Sequence, residues 1–361
     1  MKRVGLVTGG TGLLGSWIIR QLVELDFKRV YVLAREDKNF SPENRVLRIL
    51  AQHSKGKLCK IRRRLEVIRG NLLESGLGIP VVIRRRLVRE VTDVFHSAAL
   101  AEFRVVLERI RACNVEGTKK VLDFTLEATR SGNPEIKLHH VSTIAIAGTH
   151  EGWFSEEQFD LGQNFNNTYE RTKFEAEKLI REAQQRGLRA NIYRPGIITG
   201  DSRHGVTTNF KMIYQPLHFI AQELFSELPA DSDCLHSFVP VDKVAEAICL
   251  LSLLDDTRST WHLTNPRETK LDFFFDAASE VFRSRKPELI PLAAFDKDRL
   301  SAVQWQLLDP FVPYLNYRLR FAGSTTRAVL NSLGFEWPEM DRVMLKRLFK
   351  FCLRSGFGKH G

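Results

Sequence analysis

Short runs of apolar, β-branched residues alternate along the chain with longer stretches whose apolar positions recur every three or four residues. Val4–Thr8, Val30–Ala34, Leu65–Arg69, Val94–His96, Lys137–Ser142 and Ala190–Tyr193 belong to the first kind and predict strands. Leu13–Leu25, Ile79–Arg89, Val105–Ala128 and Tyr169–Arg186 belong to the second and predict helices. Strands that are apolar on both faces, with helices between them, predict an α/β protein with a doubly wound parallel sheet. The rhythm persists to Trp261-His262-Leu263-Thr264. Beyond it the pattern is mostly helical, punctuated by Pro287, Pro291, Pro310 and Pro313. The expected division is a sheet core over 1–268, with inserted segments, and a smaller helical lobe over 269–361 that closes over it.

Composition narrows the class. In 361 residues, 43% are hydrophobic and 27% charged, which excludes a disordered or collagen-like chain. The longest apolar stretch, Val244 to Leu254, is interrupted by Glu246 and is shorter than the roughly 20 residues a bilayer span needs. The first residues read as a strand running into glycines rather than a signal peptide. Cys59, Cys113, Cys234, Cys249 and Cys352 lie far apart, with no Cys-x-x-Cys. No disulfide framework or structural zinc site is expected, and the thiols fit a reducing cytoplasm. Asn166-Asn167-Thr168 is then a chance sequon. His139-His140 is not a metal pair either, because adjacent strand residues face opposite ways; one is expected in the core and one at the surface.

The chemistry begins after the first strand. Gly9, Gly12 and Gly15 form G-x-x-G-x-x-G within Gly9-Gly10-Thr11-Gly12-Leu13-Leu14-Gly15, and an amphipathic helix follows. Glycine supplies positive φ for the turn and removes the Cβ that would block a pyrophosphate, while the helix N-terminus offers free N–H groups. This is the dinucleotide-binding context of a Rossmann sheet. The second strand ends at Leu33-Ala34-Arg35. An acid there would bind the ribose hydroxyls of NAD, whereas Arg35 suits the 2′-phosphate of NADP, with Arg45 as a second guanidinium.

Tyr169 and Lys173 are four apart and share one face of a predicted helix. Ser142-Thr143 ends the fifth strand, where a side chain enters the crevice in which such sheets bind ligands. A phenol ionises near pH 10 when unperturbed, and a nearby ammonium should lower that value. Tyr169 is then the expected proton donor to a carbonyl oxygen, Thr143 a hydrogen-bond donor to the same oxygen, and Lys173 the group that tunes the phenol and reaches the nicotinamide ribose.

With these motifs the chain resembles the extended short-chain dehydrogenase/reductases, and more narrowly their thioester-reductase branch. That branch includes the reductase domains of nonribosomal peptide synthetases and carboxylic acid reductases, with fatty acyl-CoA reductases as relatives. The match also rests on Gly70-Asn71-Leu72 with Leu77-Gly78, Asn114-Val115-Glu116-Gly117-Thr118, Gly162 to Tyr169, Arg194 to Ser202, and the tail from Thr325 through Leu333-Gly334 to Pro338. The resemblance implies further cofactor contacts: Ala98 and Ala99 on the adenosine side, Asn71 and Leu72 flanking the adenine, and Pro195, Gly196, Ile197 and Ile198 at the nicotinamide. The family commonly has Asp where Asn71 stands and Asn where Ser97 stands. The carbonyl oxygen of Asn71 can still accept from the adenine amino group. Without an adenylation or carrier segment, the chain is expected to be a free-standing NADP(H)-dependent enzyme that meets its acyl thioester in solution and reduces it to the aldehyde, or on to the alcohol.

Lys and Arg number 54 against 43 Asp and Glu, a net +11. Eleven basic and two acidic residues fall between Lys55 and Arg89, and Arg342, Lys346, Lys350 and Arg354 step along the last helix. These surfaces are expected either to be solvated faces or to dock an acidic carrier protein or the phosphates of CoA. No DNA- or RNA-binding motif supports a nucleic-acid partner. Two other functions fit the same motifs: an NADP-dependent reductase or dehydrogenase of a free ketone, aldehyde or secondary alcohol, and a non-catalytic NADP-binding redox sensor.

Overall fold

The computed structural model describes residues 3–54, 56–255 and 259–356. Seven strands form one parallel sheet: β1 (Val4–Thr8), β2 (Arg29–Ala34), β3 (Leu65–Arg69), β4 (Asp93–His96), β5 (Lys137–Val141), β6 (Ala190–Pro195) and β7 (Thr260–Leu263), in the spatial order 7-6-5-4-1-2-3. The order reverses between β1 and β4, so a crevice opens above their carboxyl ends, the place where such sheets take ligands. One face buries Ile18, Leu22, Val244 and Ile248 from the helices Leu13–Glu24 (α1) and Val241–Ser252. The other buries Leu87, Val121, Phe124 and Ile180 from three further helices. Both faces of the sheet are therefore covered, as its continuous apolar strands require.

Two expectations are corrected here. His139 and His140 are both fully buried. They do face opposite ways, but β5 is a central strand of a doubly covered sheet, so neither side meets water. His139 is held by Asp93 and Tyr193. The single helix expected over Val105–Ala128 is broken instead. Leu107–Arg111 and Gly117–Arg130 are α-helical, and Ala112–Glu116 between them is a π turn. Such wide turns recur where a side chain must be aimed at a site.

A third hydrophobic cluster carries the C-terminal lobe. It joins Tyr214, Leu217 and Phe238 to Phe274, Phe275, Leu315, Leu345 and Phe349. The lobe thus draws on residues before 268 as well as after it. The last helix, Arg342–Arg354, buries Met344, Leu348 and Cys352 against this cluster. Its basic stripe turns outward, where Arg342 and Lys346 pair with Glu280. Among the described residues no helix is long and apolar enough to cross a membrane, and no cluster of metal-ligating side chains occurs.

Candidate active site

The glycine loop forms the floor of the crevice. Gly9 has φ +76°, and a Cβ built on it would stand 2.7 Å from the backbone nitrogen of Ala98. A Cβ on Gly15 would stand 2.2 Å from the carbonyl oxygen of Gly9. The Gly12 N–H donates to that oxygen at 2.8 Å, closing the turn around Thr11. No side chain caps α1 at Gly12, so its first turn is open to an anion. This cradle fits a dinucleotide pyrophosphate, because only a chain without side chains at Gly9 and Gly15 closes so tightly. Ala98 lies against it as backbone, and Ala99, Leu13 and Leu14 line the cleft beside it.

Arg35 follows β2 on an exposed loop. Arg45 donates from its guanidinium to the Arg35 carbonyl oxygen at 2.8 Å, so the two arginines stand together. Asn71 is committed to its own loop: its side-chain oxygen accepts from the Leu73 N–H at 3.1 Å and its amide donates to Glu74 at 3.0 Å. Leu72 packs into the apolar cluster below. Neither these two nor the arginines reach the main cleft, whereas Pro195, Gly196, Ile197 and Ile198 line it.

Thr143, Tyr169 and Lys173 meet in that cleft, a cavity of ≈ 300 Å³. Thr143 leaves β5 in extended conformation, and its hydroxyl accepts from the Ala145 N–H at 3.2 Å. Helix Thr168–Gln185 presents Tyr169 and Lys173. Asn167 caps it by accepting from the Glu170 N–H at 3.0 Å, so the sequon residues serve as a helix start. Lys173 is 3% exposed and its ammonium donates to the Val141 carbonyl oxygen at 2.7 Å. Burial pulls its pKa down to about 8, against the pull of Glu177 one turn on.

The phenol departs from expectation. Burial pushes the Tyr169 pKa up to about 12, offset by its hydrogen bond with Thr143, and Glu170 adds to the rise. The Lys173 ammonium faces the Val141 carbonyl instead. Tyr169 is thus firmly protonated at neutral pH, the form a proton donor needs.

Three features escaped the sequence reading. Asn114, in the π turn, accepts from the Leu100 N–H at 2.8 Å and donates to Thr172 at 3.1 Å, tying the loop after β4 to the helix that carries Tyr169 and Lys173. Its motif was visible, but not its role. Second, Glu177 is fully buried beneath the site: it accepts from Ser142 Oγ at 2.6 Å and from the buried Arg194 guanidinium at 2.6 Å. Third, Phe103, Phe311, Tyr314, Tyr317 and Phe321 roof the cleft. Tyr314 stacks on Phe103 at 5.0 Å, accepts from Asn167 at 2.7 Å, and donates to the buried Glu170 carboxylate.

Fold and site together define an extended short-chain dehydrogenase/reductase, with a nicotinamide dinucleotide as its cofactor class. The chain belongs to the male sterility protein family, whose model matches residues 7–248. A component of the linear gramicidin synthase of Brevibacillus parabrevis is 26% identical over 98% of this chain. The fatty acyl-CoA reductase wat of Drosophila melanogaster is 26% identical over 71% of it. The chain spans 7% of the first protein and 54% of the second. The crystal structure of the terminal R domain from the myxalamid PKS-NRPS biosynthetic pathway superposes with a TM-score of 0.85 at 25% identity, covering 99% of this chain and 92% of that one.

Proposed function

We propose that the chain is an NADPH-dependent reductase of an acyl thioester, carried on an acidic carrier protein or on CoA, and that it yields the aldehyde. The meeting of Thr143, Tyr169 and Lys173 beside a glycine cradle in one cleft carries this reading. Gly9, Thr11, Gly12 and Gly15 would hold the pyrophosphate, Lys173 the ribose, Pro195 to Ile198 the nicotinamide, and Arg35 with Arg45 the 2′-phosphate. When bound, the cofactor supplies a hydride to the thioester carbonyl carbon. Tyr169 Oη donates its proton to the carbonyl oxygen, and Thr143 Oγ1 holds that oxygen by a hydrogen bond as charge develops on it. The resulting hemithioacetal breaks its C–S bond, leaving an aldehyde and a free thiol. A solvent proton then replaces the one that Tyr169 has lost.

One relative supports the thioester reading, since it is a fatty acyl-CoA reductase by name and an acyl-CoA is a thioester. The test is NADPH consumption with acyl-CoA, acyl-carrier and free carbonyl substrates, followed by product identification. Aldehyde and thiol in equal amounts from a thioester are expected. Turnover of free ketones, aldehydes or alcohols alone would replace this reading with the free-carbonyl one, and tight NADPH binding without any turnover would favour a redox sensor.

A further inference from the structure

Among the described residues, Lys173 and Lys211 are the only Lys or Arg side chains that line the cleft. Lys173 is buried and donates to the Val141 carbonyl oxygen. Lys211 stands where the cleft meets water, its side chain 51% exposed. It pairs with Glu102, 37% exposed, from the loop after β4. Neighbours of both residues line the cleft: Ala101 and Phe103 beside Glu102, Asn209 and Met212 beside Lys211. The ion pair therefore joins two loops that border the opening. Arg104, two residues on from Glu102, is exposed and makes no ion pair among the described residues, so this stretch of rim has a cation in excess. The backbone under Lys211 is set. Its N–H donates to Asn209 Oδ1 at 3.0 Å, and its carbonyl oxygen accepts from the Tyr214 N–H at 3.2 Å. Inside that turn Met212 takes φ +55°, a left-handed conformation that few side chains adopt. Such outliers cluster at ligand clamps. The turn gives Lys211 a fixed root and a long side chain in water, held by an exposed ion pair that contributes little and exchanges readily.

An acyl thioester reaches Tyr169 on its handle. CoA and a carrier protein present the same one, a pantetheine arm with the thiol at one end and a phosphate at the other. With the reacting carbon at Tyr169, the arm runs outward and its phosphate arrives at the rim. A phosphate there meets a cation that its seat in water leaves free to exchange partners. Lysine binds phosphate as a point charge and demands no fixed geometry, which suits an exposed rim. We infer that Lys211 binds the phosphate of the pantetheine handle, taking it in exchange for the Glu102 carboxylate. The inference rests on the proposed function for the handle and adds the residue that holds it. Glu102 neutralises Lys211 until then, so an anion with no arm seated in the cleft gains little at this place.

The experiment supplies one acyl group on pantetheine, on 4′-phosphopantetheine, on CoA and on a carrier protein, each with NADPH. In the parent, kcat/KM on phosphopantetheine should exceed that on pantetheine by about fivefold or more, the low end for a charge-assisted contact because the site is half exposed. Lys211→Gln should bring that ratio to within about twofold of one. Glu102→Gln, which frees Lys211, should raise it. A parent ratio near one, a ratio that survives Lys211→Gln, or a ratio that falls in Glu102→Gln would overturn the inference. The CoA and carrier arms separate the two sources: both should lose kcat/KM in Lys211→Gln, because they share this phosphate. A loss confined to acyl-CoA would overturn the assignment, since Lys211 would then read the nucleotide end of CoA. Calorimetry with unacylated phosphopantetheine and pantetheine gives a readout besides turnover. Phosphopantetheine should bind about fivefold or more tighter, and Lys211→Gln should abolish the difference. If no thioester is reduced and this difference holds, the proposed function falls and the Lys211 site stands. If thioesters are reduced and the difference is absent, the site falls alone.

Discussion

Arg35 stands where an acid would select NAD, and Arg45 braces its backbone. A charge-assisted phosphate contact is worth about 1.5–3 kcal/mol, or roughly tenfold to a hundredfold in affinity. Arg35→Ala should therefore weaken NADPH by that factor and leave NADH nearly unchanged, as fluorescence titration of both cofactors would report; equal weakening removes the 2′-phosphate role. At the reacting oxygen, Tyr169→Phe keeps the ring and loses the proton, so turnover should collapse while NADPH still binds. Thr143→Ala should cost about 10²–10³ in kcat. The pH profile has a sign. Lys173 holds its proton below about pH 8 in the folded protein and loses it above. If the ammonium is needed, kcat falls as pH rises through 8, and a profile flat to pH 10 would take Lys173 out of the chemistry. The meeting of Thr143, Tyr169 and Lys173 and the glycine cradle were legible because each motif is local: four residues on a helix, or seven in a loop. Asn114, Glu177 and Tyr314 were not, because their partners lie at Leu100, Arg194 and Glu170, and no local spacing encodes those meetings.

At the scale of elements, the helix that carries Tyr169 and Lys173 is held at its start and at its middle. Tyr314 and Asn167 hold its first turn, so the roof of the cleft and the start of the helix move together. Farther along, Glu177 joins it to β5 through Ser142 and to β6 through Arg194, whose guanidinium also donates to the Gln158 carbonyl oxygen at 2.9 Å. Arg194 and Glu177 are both fully buried. Removing one member of such a pair strands the other, which costs about 3–5 kcal/mol. Glu177→Gln should lose that much stability in urea at pH 7, and Glu177→Met with Arg194→Met should recover most of it. A single variant as stable as the parent would mean that the pair contributes little. The acid limb follows from the same carboxylate. Burial alone would raise the Glu177 pKa, but Arg194, Arg181 and Ser142 together hold it down at about 2, against 4.5 when unfolded. Its contribution is fully present above pH 4.5 and is lost as pH falls toward 2. Strand and helix patterns announced these elements, since their periodicity is local. The break at Ala112–Glu116 was hidden because nothing in that stretch stops a helix; the wide turn is stabilised by what Asn114 reaches.

Across the whole molecule, the question is where the +11 charge acts. Lys55 lies outside the described residues, but the rest of the Lys55–Arg89 segment is placed. Its helices Leu58–Arg64 and Val81–Glu90 flank the β3 edge, and none of their residues lines the cleft. Much of the charge is also met within the chain: Arg64 pairs with Asp26 at 2.9 Å, Arg84 with Glu127, and Arg86 with Glu66. A docking site would need free charge near the mouth, so the contribution left to this surface is steering at a distance, which salt tests. Steering changes encounter rate and is screened beyond a Debye length of about 10 Å at 0.1 M salt. Raising salt from about 50 to about 500 mM should therefore lower kcat/KM severalfold for an acyl group on an acidic carrier, with kcat unchanged. The same acyl group on N-acetylcysteamine should show almost no response. Arg85 and Arg89 make no ion pair among the described residues, so reversing them tests the flank alone. Arg85→Glu with Arg89→Glu should reduce the carrier substrate's kcat/KM by less than about threefold, through a net charge lowered by four. A loss of a hundredfold, confined to the carrier substrate, would make this flank the carrier's docking surface after all.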